Sequence, residues 1–212
     1  MSIPLVAVEK DFEIASRSAC WAQLDASGKR ERLLRAAGEV FARDGLDAPM
    51  PAIAEAAGAG VGSVYRQFAS KRELLAALVV QRLQESERGA EAALASGEDR
   101  WSALTGLLWT LAERQAGDDV LGEAMASVSE HAAVVEALAA TVIALERLLA
   151  AARAEGRLRE DATTLDLRLL FAATRAAGAL EAGAWRRMLE LGIDALERPA
   201  AAQASAEQTA SV

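Results

Sequence analysis

The chain has 212 residues, room for one or two domains and a sizeable core. Hydrophobic residues make up 52% of it, which excludes wholesale disorder, and 51 alanines against 25 Val, Ile and Thr together favour helix and nearly exclude a sheet protein. A lone cysteine (Cys20) and a lone histidine (His131) cannot build a disulfide framework, a zinc site or a Cys/His relay, so no metal or cofactor is expected.

No apolar run free of charge approaches the ~20 residues of a membrane span. The stretch from Met1 to Glu9 lacks the basic start and apolar length of a secretory leader. The expectation is a soluble cytoplasmic protein. Its net charge of −8 argues by itself against a polyanionic partner, but the distribution is uneven. Residues 1–27 sum to −2, residues 28–72 to +3 and residues 73–212 to −9. A small basic block precedes an acidic body.

In chain order, residues 1–25 carry a faint helical pattern in Phe12, Ala15, Ala19 and Trp21. A first clear helix is predicted from about Gly28 to Arg43, with Leu33, Ala37, Val40 and Phe41 on one face and Asp44-Gly45 as its stop. Pro49 and Pro51 open a short second helix, where a missing N–H costs little, and Ile53, Ala54 and Ala57 face inward. Gly58-Ala59-Gly60 turns the chain into a third short helix holding Val61, Val64 and Phe68 at helical spacing. Ser70 and Glu73 have capping-box spacing and open a fourth helix. Leu75, Leu78, Val79 and Leu83 share its face, and it ends near Arg88, because Gly89 to Gly97 weakens the pattern.

Asp99 is the next N-cap. Five more helices are predicted over 99–116, 119–128, 131–155, 163–181 and 184–197, broken at Gly117-Asp118-Asp119, Ser129, Gly156 and Gly183. Thr163 and Asp166 form a second, weaker capping box. Helix 131–155 carries a heptad-like seam of Val135, Leu138, Val142, Leu145 and Leu149. The Ala/Ser/Gln-rich tail after Arg198-Pro199 reads as disordered. The expected fold is all-α with about nine helices.

The informative stretch is Ile53 to Phe68. Two short helices meet at a glycine turn, Ala54 is small where they must cross, and Ile53, Val64 and Phe68 lock the pair onto the first helix. That is the construction of a helix-turn-helix. The second helix leaves Gly62, Ser63, Tyr65, Arg66 and Gln67 away from the core, a set able to reach phosphates and base edges. Tyr65, beside core Val64, points outward. Gly62 lets a backbone approach closely, and Arg66 suits a guanine or a phosphate.

At these residues the sequence resembles the TetR/AcrR family of transcriptional regulators. The likeness runs from Lys29 to Leu83. It includes Leu33-Leu34, Ala37, Val40-Phe41-Ala42 and Gly45, then Ile53-Ala54, Ala57-Gly58, Gly62-Ser63-Val64-Tyr65-Arg66, Phe68, Lys71 and Leu74-Leu75. The resemblance implies an N-terminal extension (1–27), a helix-turn-helix DNA-binding domain (28–72), a ligand-binding and dimerisation bundle (73–198) and a tail (199–212).

It also implies roles. Ser63, Tyr65 and Lys71 match positions that hold DNA phosphates, Val61, Gly62 and Arg66 match positions facing bases or the groove wall, and Lys29, Arg30 and Arg32 match a backbone-contacting arm. The last two helices would pair with a second copy through a face containing Ala172, Ala173, Ala176 and Ala177. The partners implied are a pseudo-palindromic DNA operator, a second copy and a small-molecule effector. Ala59, Gly60, Gln67 and Asp47-Ala48-Pro49-Met50 depart from the family pattern, and residues 1–27 lack the basic arm often seen there.

An effector pocket is expected among Trp101, Thr105, Trp109, Met125, His131 and Trp185, because such pockets are largely apolar with a few polar groups. The rival for these residues is ordinary bundle core. His131 beside Glu130 could suggest acid–base chemistry, but adjacent helix residues do not face each other, and no paired-carboxylate or phosphate-cradling motif supports an enzyme. The leading reading is a repressor released from DNA by a small molecule. The alternative is a regulator of the same kind without such a switch, constitutive or controlled by a protein partner.

Overall fold

The computed structural model describes residues 21–116 and 120–199, with the side chain of Leu121 excepted. The sequence readings of Cys20 and the rest of residues 1–20, of the Gly117-Asp118-Asp119 break and of the tail from Ala200 lie outside the described residues. After a helical turn at 21–23, nine helices follow among them: α1 (Ala26–Asp44), α2 (Met50–Ala57), α3 (Val61–Gln67), α4 (Lys71–Ala95), α5 (Arg100–Ala116), α6 (Val120–Ser127), α7 (Ala132–Ala154), α8 (Thr164–Leu180) and α9 (Ala184–Leu196). The fold is all-α, as the composition requires. No helix among the described residues is long and apolar enough to cross a membrane.

The chain packs into two compact units. Among the described residues, the first joins 21–79 to 120–134, and the second joins 80–116 to 135–199. In the first, α1 begins two residues before the glycine that seemed to open it, because Asp25 Oδ1 accepts from Gly28 N at 2.7 Å. Pro49 caps α2 and Pro51 lies in its first turn. Leu33, Ala37, Val40 and Phe41 of α1 are buried, as are Ile53, Ala54 and Ala57 of α2.

In the second unit the core is built from α5, α7, α8 and α9. Leu104, Leu108, Leu148, Leu149, Leu158, Leu167 and Leu189 are fully buried there, with Trp101 and Trp185 at its edges. Arg159 N donates to Leu196 O and Arg198 N to Arg157 O, tying the end of α9 to the α7–α8 loop.

Three sequence expectations are corrected. The fourth helix does not stop near Arg88; α4 runs unbroken to Ala95. Gly89 is there for closeness, since a Cβ at that position would stand 2.7 Å from Leu107 Cδ1. Close packing with α5 outweighs the ~1 kcal/mol helix penalty of glycine.

The seam of α7 is shifted by one residue over its first half, while Leu149 is buried as expected and Leu145 packs against the core. Val134, Ala137, Thr141, Ala144 and Leu148 are the buried row, while Val135 and Leu138 are exposed. Thr141 Oγ1 lies 3.0 Å from Leu83 O and 2.8 Å from Ala137 O, and Arg147 pairs with Glu91, so α7 lies alongside α4 in this unit through its small residues.

The Ser70 box is half-formed. Glu73 N donates to Ser70 Oγ, but the Glu73 carboxylate turns to His131. The Thr163 box, in contrast, is tight: Thr163 N and Oγ1 both donate to Asp166 Oδ2, at 2.7 and 2.8 Å.

Two predictions follow from helix packing and capping. Gly192→Ala would place its Cβ 2.1 Å from Leu170 Cδ1, where α8 and α9 cross. It should destabilise by about 1–3 kcal/mol. Gly106→Ala, with open space around the added atom, should stabilise by about 0.5–1 kcal/mol. Denaturant melts of both variants check the opposite signs.

The backbone N–H of Ser102 holds the Asp99 carboxyl below the usual carboxylate range, and that of Thr163 does the same for Asp166. A depressed folded value gives stability that is present above the unfolded value, about 4, and lost as pH falls through the folded one. The melting-temperature deficit of an Asp99→Ala/Asp166→Ala variant should therefore be full at pH 7 and shrink below about pH 4.

Candidate nucleic-acid interface

The site is assembled around one turn. Gly58 adopts φ +68° and ψ +30°, a left-handed conformation that favours glycine, and its N–H closes the end of α2 on Ala54 and Glu55 carbonyls. The Nε of Arg32 donates to Ala57 O at 2.7 Å and gives that helix end a cation as well. Three residues later α3 begins. Val64 and then Phe68, the residue that caps α3, are buried and fix its inner side.

The opposite side of α3 is open. Val61 is 39% exposed and Tyr65 50%, with Gly62 and Arg66 also exposed and Ser63 and Gln67 half-buried. Val61 thus stands outside the core that its spacing with Val64 suggested, at the first position of the helix. Arg66 Nη2 donates to Ser63 Oγ at 2.8 Å, a contact one turn back that orients the guanidinium along the helix surface. Sequence reasoning missed this pair, although the i, i+3 spacing carried the signal.

The flanking cations are held by rings. The Arg30 guanidinium lies 4.6 Å from the centroid of Phe68, and the Lys71 ammonium 5.8 Å from that of Phe41. A cation on an aromatic face keeps its full charge while losing mobility. Arg30, Arg66 and Lys71 therefore stand around the C-terminal end of α3. Arg32 is committed to the end of α2, and Lys29 is half-buried in the first turn of α1.

The six expected pocket residues are divided between the units. Trp101, Thr105, Trp109 and Trp185 belong to the second and Met125 and His131 to the first. Trp109 and Trp185 meet edge to face, centroids 6.1 Å apart at 61°. Trp101 is buried, with the Arg157 guanidinium 5.9 Å from its ring centroid. Thr105 Oγ1 donates to Ser102 O, and Met125 is half-buried. His131 Nε2 lies 3.2 Å from Glu73 Oε1, so its carboxylate neighbour comes from α4 and not from the adjacent Glu130. Trp185 also lines a cleft of about 270 Å³ with Gln115, Thr174 and Arg175.

The model of bacterial regulatory proteins of the tetR family matches residues 33–78, which hold α2, α3 and parts of α1 and α4. No curated protein matches the chain. Among solved structures, the chain is similar to a TetR transcription regulatory protein from Mycobacterium vanbaalenii, at 30% identity over 80% of this chain and 95% of that one, with a TM-score of 0.60. It is similar to a TetR transcriptional regulator from Streptomyces coelicolor at 25% identity, 81% and 99% coverage and a TM-score of 0.64. A third similar structure, described as the molecular basis for control of antibiotic production by bacterial hormones, shares 26% identity over 82% and 100% of the chains, with a TM-score of 0.63.

The two sides of α3 should separate in stability measurements. Val64→Ala removes buried methyl groups and should cost about 1–3 kcal/mol. Tyr65→Ala, on the open side, should stay within about 0.5 kcal/mol of the parent. Urea titrations of the two variants test this division.

Proposed function

The chain belongs to the TetR family of bacterial transcriptional regulators, and from that premise we propose that it is a cytoplasmic, homodimeric repressor released from its operator by a small molecule. The observation that carries the DNA half of this reading is α3: a buried Val64 behind, and Val61, Gly62, Tyr65 and Arg66 open in front. In this reading α3 enters the major groove. Ser63, Tyr65 and Lys71 hold phosphates, with Lys29 and Arg30 as further backbone contacts. Gly62 allows close approach, and Arg66 takes a guanine or a phosphate. Residues 28–72 form the DNA-binding domain and 73–198 the regulatory one.

The dimer reading rests on α8 and α9. Leu165, Leu169 and Leu180 of α8 are more than half exposed, and Ala172 and Ala176 continue the stripe between them. Leu191 of α9 is exposed as well. A second copy covering these helices would bury the stripe and set two α3 helices about 34 Å apart, one turn of DNA. Control by a small molecule is supported by the hormone-linked neighbour at 26% identity. Release then requires that the effector bind the non-DNA-binding state more tightly than the other.

The test is fluorescence anisotropy on DNA upstream of the protein's own gene and, in parallel, on duplexes selected from a random pool. Binding should weaken steeply with salt, since phosphate contacts release counterions, and should fall at least tenfold in Tyr65→Ala. Arg66→Ala should relax preference at one base pair if Arg66 reads a base and weaken all sequences equally if it holds a phosphate. Absence of any selected duplex would overturn the reading.

A further inference from the structure

We infer that the cleft lined by the last turn of α5, the C-terminal turns of α8 and the start of α9 is an effector site for small organic acids. The inference rests on the reading of the protein as a ligand-controlled regulator, and it deepens that reading by naming the site and the class of ligand. The cleft holds about 270 Å³. That is at the foot of the ~300–1,000 Å³ range of ligand pockets, enough for a one-ring molecule.

One wall of the cleft is fixed by Trp185, over whose ring the Arg186 guanidinium lies 4.4 Å from the centroid. Trp185 is buried, and Trp109 meets it edge to face. The walls opposite are short side chains, among them Ala112 and Gly178, which leave the hollow. A Cβ at Gly178 would stand 3.7 Å from Trp185 Cβ, an ordinary contact, so packing with Trp185 does not require glycine there. The empty space is the result of small residues at positions that larger ones could fill.

The polar groups specify the rest. Gln115 Nε2 donates to Phe171 O at 2.8 Å and Thr174 Oγ1 to the same oxygen at 2.9 Å. With its proton engaged, Thr174 offers acceptor lone pairs, and Gln115 keeps a second Nε2 proton and its Oε1 for a ligand. Of the described residues lining the cleft, Arg175 alone carries a charge, and it is exposed at the rim. A ligand that suits these groups carries a carboxylate for Arg175, a polar group for Gln115 and Thr174, and a compact apolar body for the space that the short side chains leave.

The test uses the full chain and 4-hydroxybenzoate, with p-cresol as the analogue lacking the carboxylate. Calorimetric titration and tryptophan fluorescence should both saturate with 4-hydroxybenzoate, and p-cresol should bind at least tenfold more weakly. Arg175→Gln should abolish that preference with an unchanged melting temperature, while Gly178→Leu, filling the hollow, should abolish binding of both. Saturable binding that neither variant alters, or no saturable binding at all, would overturn the inference. Operator binding measured without additive separates the two readings. Intact DNA binding with no acid binding sinks this inference alone, whereas acid binding without DNA binding sinks the regulator reading and leaves the site.

Discussion

At Gly58 the chain turns through a left-handed conformation within three residues, and α2 and α3 cross only because it does. The burial of Val64 and Phe68 follows from that turn, and so does the exposure of Tyr65 and Arg66, since a helix seven residues long has one side to hide and one to show. A residue with a Cβ at Gly58 would carry the ~1–2 kcal/mol cost of a left-handed conformation. The cost would fall on the relation of two helices. The end of α2 is secured a second time by Arg32 on Ala57 O.

The electrostatics of the first unit separate cations that build from cations that remain available. Arg32 serves α2 and Arg43 pairs with Asp44. Arg30 and Lys71 instead rest on Phe68 and Phe41. An ion pair neutralises the charge it positions, whereas a ring face does not. With a chain charge of −8 overall, such local, un-neutralised positive charge is what keeps an acidic protein compatible with a polyanion.

Much of this was legible in the sequence because alanine-rich helices broken by Gly, Pro and Asp leave clear boundaries. The bounds of α5 to α9 differ from those read off the chain by one residue at most ends. Illegible was whatever depends on distance between helices. Gly89 looks like a stop until Leu107 is seen against it. Over the first half of α7 the row that packs is Val134, Ala137, Thr141 and Ala144, not Val135 and Leu138 beside it, because α4 approaches closely enough for Thr141 to reach the Leu83 carbonyl. Hydrophobic size marks a core position only where the neighbours leave room for it. The Ser63–Arg66 pair and the turn of Glu73 to His131 likewise belong to three-dimensional proximity.

The continuity of α4 has a mechanical meaning. Its 25 residues extend about 37 Å at ~1.5 Å per residue. A tilt of about 5° applied at one end of such a rod moves the other by ~3 Å, close to the rise of a single base step in DNA. A glycine in the middle of that rod would be a joint in an isolated helix. Seated against Leu107, Gly89 is packed, so it marks no joint in α4.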